Sequence, residues 1–397
     1  MAASAPTTKT TIPFYRDTRM IAIILQVAFA IVVLVGIWYL YTNMMAGLRR
    51  VNLLPNFGFL TTPAGFPIAE SVIAYDPSMT YGRAFIVGIL NTLRVAITGI
   101  VLATLLGVLI GICRLSGNWL LRNTAVAYVE IVRNVPLLLQ LIFWFLLTKA
   151  FPRVQESIDL GGLLYLNNRG VTMAWPEAGA AYGAWAPWLW VGLIAGVAFY
   201  AVRRYQFVQR DRPGVALPWA ALVAGGIVLV GYFVAGLSGG GWPLVLDVPE
   251  LQRFNFVGGL TVTASFAALL AGLVIYTAAF ISEIVRSGIQ AVNKGQREAA
   301  RAVGLTNSQA LRLVIFPQAM RIMIPPTTSQ YLNLTKNSSL AIAIAYPDLF
   351  YVGNTINNQT GQAVPVILLL MLSYLSVSLL TSLVMNWYNK RIQLVER

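Results

Sequence analysis

Residues 287–320 read SGIQAVNKGQREAARAVGLTNSQALRLVIFPQAM. The stretch is polar and basic, yet it lies between two long apolar runs, roughly 256–284 and 320–345. Its spacing predicts two short helices. Asn293 is placed to cap a helix whose third residue, Gln296, reaches back to the cap. Residues 296–303 then make about two turns, with Ala299, Ala302 and Val303 on a small-residue face. Gly304 supplies the stop. Thr306 with Gln309 forms a second capping box, and a second helix runs until Pro317. Two short helices at a fixed angle suit a groove on another protein and can carry force into the runs on either side.

Outward from this loop the chain is strongly apolar. Of its 397 residues, 57% are hydrophobic and 11% charged, against about a quarter charged in a soluble domain. Runs of about 20 apolar residues are long enough to cross a bilayer. Eight are found, at roughly 20–42, 86–113, 124–148, 185–202, 215–236, 256–284, 320–345 and 363–388. The first suits a retained span rather than the shorter apolar core of a cleaved leader. The chain has no His and one cysteine, Cys113. That excludes imidazole bases, His-held metals and an internal disulfide. No catalytic residue, metal ligand set or cofactor motif stands out.

The net charge of +14 reflects basic loops on one side of a membrane rather than a nucleic-acid surface. With the N-terminus inside, that side carries Lys9, Arg16, Arg19, Arg114, Arg122, Arg203, Arg204, Arg210 and Arg212. It also carries Arg286, Lys294, Arg297, Arg301, Arg312, Arg321, Lys390, Arg391 and Arg397. The other side has only Arg49, Arg50, Arg83, Lys149, Arg153, Arg169 and Arg253. Both termini are therefore expected to be cytoplasmic, which an even number of spans satisfies. The first dozen residues read as a disordered tail. Trp175, Trp185, Trp188 and Trp190 cluster where an interfacial aromatic belt would lie.

The spacing Glu298-Ala299-Ala300, three residues, Gly304, nine residues, Val314, one residue, Phe316-Pro317 resembles the EAA loop of ABC importer permeases, E-A-A-x3-G-x9-I-x-L-P. The two departures, Val for Ile and Phe for Leu, stay apolar. Asn91-Thr92-Leu93, the run from Arg133 to Gln140, the run from Tyr276 to Arg286, and Lys336-Asn337-Ser338-Ser339-Leu340 are similar to the polar amino-acid branch (His/Glu/Gln/Arg/opine-type). The similarity covers roughly 84–389. An insertion between about 150 and 255 and an added first span resemble the general or glutamate/glutamine/aspartate/asparagine importers.

That resemblance implies an all-α polytopic membrane protein: a five-span type I ABC importer permease core plus three extra transmembrane helices. Its divisions are 1–83 (tail, first helix, periplasmic segment), 84–150 (first part of the core), 151–255 (insertion with two helices), 256–389 (second part with the EAA loop) and 390–397 (cytoplasmic tail). It implies import of polar L-amino acids across the bacterial inner membrane and no ATP hydrolysis by this chain. The implied partners are a cytoplasmic ABC ATPase dimer, a second homologous permease subunit in a heterodimer, a periplasmic amino-acid-binding protein and membrane lipid. Glu298, Ala299, Ala300, Gly304 and Pro317 are the implied ATPase-coupling residues. An amphipathic helix lying on the inner leaflet is the other reading of that loop.

Polar groups inside spans are costly and mark candidate functional positions. Lys336, Asn337 and Ser338 follow Pro325-Pro326 in the seventh run, where a broken helix exposes backbone polar groups to a substrate. Lys336 can hold an α-carboxylate, pair with a carboxylate, or snorkel outward. Arg94 can bind an acidic side chain or snorkel, and Gln140 can line the pathway. Glu130 with Arg133, and Glu283 with Arg286, read as intrahelical pairs. Leu237-Ser238-Gly239-Gly240-Gly241 mimics an ATPase signature, but no G-x-x-x-x-G-K-[ST] phosphate loop accompanies it. An ion-coupled secondary transporter is the alternative, predicting buried carboxylates. A membrane-embedded enzyme would need a clustered acid, base or metal set.

Overall fold

The computed structural model describes residues 18–50, 54–209, 216–238 and 240–392. The expected N-terminal tail, most of the C-terminal tail, and Lys9, Arg16, Arg210, Arg212 and Arg397 lie outside the described residues.

Among the described residues six helices are long and apolar enough to cross a membrane: α1 (Thr18–Arg50), α2 (Tyr81–Arg114), α5 (Tyr182–Gln209), α6 (Ala216–Ser238), α7 (Ala264–Gln290) and α12 (Ala363–Ile392). The run at 124–148 is not the straight span it resembles. It is two helices, α3 (Trp119–Asn134) and α4 (Leu137–Lys149), bent by 106°. The cause is local. Pro136 disfavours helical backbone at the preceding residue, and Val135 is extended at φ −98° and ψ 130°.

The run at 320–345 also divides. α10 (Phe316–Asn337) contains Pro325 and Pro326, then gives way to a 3-10 stretch, Ser338–Ile344. That stretch ends at Ala345 in the left-handed region, φ 53°. α11 (Leu349–Thr360), capped by Asp348, then leads to α12.

The core is built on α2 and α7. Ala103, Gly107 and Gly111 repeat at four-residue spacing and let the two helices touch, as small residues do between membrane helices. Around the seam, Leu141 of α4, Leu269 and Leu273 of α7, and Leu334 of α10 are fully buried. α1 stands outside this core and is exposed along its length.

The insertion corrects the all-helical expectation. Among the described residues it and the start of the second core part hold eight short strands, and the run at 256–284 begins as strand rather than helix. β1 (Ile158–Asp159), β2 (Leu164–Asn167), β3 (Gly170–Met173) and β8 (Leu260–Thr263) form an antiparallel sheet in that order. β4 (Trp175–Ala178) pairs with β5 (Leu244–Asp247), and β6 (Glu250–Gln252) with β7 (Asn255–Val257). Gly170 faces Thr263 across the β3–β8 pair at φ 134°. A Cβ there would lie 2.0 Å from the Val262 carbonyl oxygen, so only glycine fits. β8 runs directly into α7, whose cap is Thr263. α5 and α6 pack on each other: the Trp188 ring lies against Gly231, and Trp185 donates to the Val228 carbonyl at 3.0 Å.

Candidate functional site

The quoted loop forms two helices, α8 (Lys294–Ala302) and α9 (Asn307–Ala310). Gly304, at φ 82°, closes α8: Leu305 N–H donates to Ala300 O at 3.1 Å and Gly304 N–H to Arg301 O at 2.9 Å. This is the paired C-terminal arrangement that needs a left-handed residue. Asn293 caps α8 by accepting from Gly295 N–H at 2.8 Å. Gln296 does not reach back to it; its side-chain oxygen accepts from Gln318 Nε2 at 3.3 Å. The Thr306–Gln309 capping box forms as read.

The second helix does not stop at Pro317. α9 passes through a π-turn, Leu311–Ile315, straight into α10, with Pro317 in the first turn. Phe316 N–H donates to Leu311 O in the wider π register, so the chain passes the proline without a break. Glu298, Ala299 and Val303 are exposed, Val303 at 76%, whereas Ala300 is buried. Arg297 ties α8 to the end of α7 through a 3.1 Å bond to Ile289 O.

Further along α10, Gln330, Asn333 and Asn337 face Tyr276, Thr277 and Phe280 of α7 around a polar cavity of about 230 Å³. Of the five pathway residues expected from sequence, Asn337 lines this cavity. Lys336 is exposed beside it. Ser338 is buried, its hydroxyl donating to Thr335 O at 2.8 Å. Gln330, Tyr276 and Thr277 were not singled out as lining residues. The i, i+3, i+7 spacing of Gln330, Asn333 and Asn337 is the signal that places them on one face.

Arg94 and Gln140 are engaged within the chain. Arg94 pairs with Glu70 at 2.5 Å and lies over the Phe266 ring, 4.2 Å from its centre. Glu70 also accepts from the Thr263 hydroxyl at 2.6 Å, and its backbone oxygen accepts from Asn91 Nδ2 at 2.8 Å. One glutamate thus fastens the segment before α2 to the N-terminal parts of α2 and α7. Gln140 Nε2 donates to Val132 O and Val135 O, both at 2.9 Å, which occupies carbonyls released by the α3–α4 bend.

Glu283 and Arg286 pair as read, and Arg114 of α2 joins them. Glu130 and Arg133 do not pair: Arg133 lies over Phe280, 5.0 Å from the ring centre. In the N-terminal half of α2, Thr92 Oγ1 accepts from Leu349 N–H at 3.0 Å. Asp348 caps Tyr351 at 2.8 Å and accepts from Tyr374 OH at 3.2 Å.

A family model described as a binding-protein-dependent transport system inner membrane component matches residues 103–394. The chain is 46% identical over 369 residues to the general L-amino acid transport system permease protein AapQ of Rhizobium johnstonii, covering 92% of this chain and 91% of the relative. It is 43% identical over 371 residues to the putative amino-acid ABC transporter permease protein YhdX of Escherichia coli, covering 93% of each. It is 40% identical over 419 residues to the glutamate/glutamine/aspartate/asparagine transport system permease protein BztB of Rhodobacter capsulatus, covering 96% of each.

Proposed function

Because the chain belongs to the binding-protein-dependent transport system inner membrane components, we propose that it is the permease subunit of an ABC importer for polar L-amino acids. The substrates we assign are glutamate, glutamine, aspartate and asparagine, or a broad range of such amino acids. The observation that carries this reading is continuity. The helix that begins in the α8–α9 loop runs unbroken to the polar cavity at Asn337. A push on the loop is therefore felt where a substrate would pass.

Glu298 and Ala299, exposed on α8, meet a cleft of a separate cytoplasmic ATPase dimer, and Gly304 fixes the angle between α8 and α9. Ala300 packs this element on the core, and Pro317 starts α10. ATP binding by the partners moves the loop and turns the permease outward. A periplasmic binding protein then delivers the amino acid, which passes Lys336 and Asn337 and leaves inward after hydrolysis. The cavity of about 230 Å³ lies below the ~300–1,000 Å³ of drug-sized sites and suits a single amino acid. Its amide and hydroxyl lining offers hydrogen bonds to a zwitterion, and Lys336 stands ready for a carboxylate. In this reading Arg94 and Gln140 serve the pathway by holding its walls.

The six apolar helices, the bent α3–α4 pair and α10 make eight crossings. Residues 84–150 and 256–389 form the core, 151–255 the insertion, and both termini are cytoplasmic. A second, homologous permease completes the pathway. An ion-coupled secondary transporter is not favoured, since the relatives named above include ABC permeases.

Glu298→Lys tests the reading: uptake should fall at least tenfold, with the ATPase lost on co-purification and the chain still in the membrane. Unchanged uptake with the ATPase retained would overturn it.

A further inference from the structure

Two recesses on the cytoplasmic half share a wall. The first, of about 360 Å³, lies among α2, α7, α10 and α12 and is lined by Val108, Val285, Met320 and Met385, with Tyr331 at its deep end. The second, of about 680 Å³, opens beside α8 and carries Arg297, Arg301, Gln290 and Ser116. Ile112, Ile289 and Leu311 line both. Together they make one recess, apolar toward the membrane and cationic toward the cytoplasm.

Three of the apolar arm's four hydroxyls are engaged within the chain, and the fourth, on Tyr388, belongs to an exposed residue. Thr104 and Tyr331 bond each other at 2.8 Å, and Thr327 donates to Met323 O at 2.8 Å. A cavity of that kind stays dry and accepts hydrocarbon, and one on the order of 150 Å³ already holds benzene. The arm follows α2 from Thr104 to Ile112, roughly 12 Å at the helical rise, which is room for a length of acyl chain. It uses a different face of α7 and α10 from the polar cavity.

The cationic mouth is suited to a phosphate. Arg297 and Arg301 lie four apart on one face of α8. Arg297 donates to Ile289 O, and Arg301 to Asn307 Oδ1 at 3.3 Å. A guanidinium carries five N–H donors, so each keeps several for a ligand. Among the described residues neither arginine lies within ion-pair distance of a carboxylate. Ser116 Oγ accepts from Asn118 N–H at 3.1 Å, which leaves its own hydrogen to give.

We propose that this recess holds an anionic glycerophospholipid of the inner leaflet, with one acyl chain in the apolar arm and the phosphate between Arg297 and Arg301. Basic pockets between membrane helices on the cytoplasmic side take such headgroups. Bound there, the lipid would brace α8 against α2 and α7.

The test uses the full chain with its companion subunits, challenged with phosphatidylglycerol, phosphatidylcholine of equal chain length, or inorganic phosphate. Retained lipid is read by native mass spectrometry. Phosphatidylglycerol should be retained in preference to phosphatidylcholine, and inorganic phosphate should not displace it. Arg297→Gln and Arg301→Gln should each lower retention about fivefold. Val108→Trp, which fills the apolar arm and leaves both arginines intact, should lower it as well; Met385→Trp serves if that variant fails to fold. Equal retention of the two lipids, or retention untouched by the arginine variants, would overturn the proposal. Displacement by inorganic phosphate would overturn it in favour of a free-anion site.

Discussion

Gly107 of α2 lies so close to Ile281 of α7 that a Cβ at Gly107 would stand 2.7 Å from the Ile281 Cβ. One turn on, Gly111 meets Val285 in the same way, again at 2.7 Å. The two helices at the centre of the permease are in backbone-level contact along this seam. Gly107→Val should therefore destabilise the protein by about 1–3 kcal/mol or more, the range for overpacking a filled interior. Thermal unfolding in detergent is the measurement. A melting temperature equal to wild type would show that the seam opens freely.

Gly304 tests the angle between α8 and α9. Its φ of 82° is strained for side chains other than those of Asn and Asp. Gly304→Val should cost about 1–3 kcal/mol of local strain and uncouple ATP hydrolysis from uptake, while Gly304→Asn should retain most transport. Equal transport by the two variants would remove the role assigned to this turn.

Gln140 separates a wall residue from a substrate contact. Gln140→Ala removes both donors from the bend, and leaving two partly exposed carbonyls to solvent costs about 0.5–1.5 kcal/mol, the net worth of a typical hydrogen bond. We expect a lower melting temperature with little change in apparent KM for uptake. A raised KM at unchanged stability would make Gln140 a substrate contact instead.

Asn337 and Ser338 are adjacent but should differ. Asn337→Leu places an apolar group on the polar cavity, and uptake should drop by about tenfold, the worth of one good hydrogen bond. Ser338→Ala loses a bond to Thr335 O within its own turn and touches nothing on the polar cavity's lining, and transport should stay near wild type. The same assay on both variants decides.

Glu70 and Arg94 should act as one unit. Their paired side chains are partly exposed, at 11% and 28%, so solvent screens part of the attraction. Glu70→Gln and Arg94→Gln should each loosen the segment before α2, seen as faster proteolysis there. The double variant should be little worse than either single one, as a shared interaction requires.

How much of this was legible in the sequence depended on how local the cause was. Gly304 and the Thr306–Gln309 box were readable because capping is settled within four residues. The Glu283–Arg286 pair lies on one helix face and was readable too; its third member, Arg114, comes from another helix and was not. The α3–α4 bend had a local signal in Val135-Pro136, but a hydropathy run averages over it. The π-turn that carries the chain past Pro317 has no such signal. The strands between residues 158 and 263 are two to four residues long and pair across distance, as Gly170 does with Thr263, too briefly for alternation to register. Arg94 and Gln140 were recognised as costly inside a span. Their partners, a glutamate from the segment before α2 and two carbonyls freed by a bend, are brought to them only once the chain is folded.

The unbroken passage from α9 through the π-turn into α10 sets a mechanical gain. From Asn307 to Asn337 the helical path is roughly 45 Å at 1.5 Å per residue. Over that span a tilt of about 5° sweeps the far end by about 4 Å, more than the diameter of a water molecule. A push applied only at the Asn307 end can thus shift the Asn337 end by the width of a small solute, and the Pro325-Pro326 pair between them is where the rod can bend.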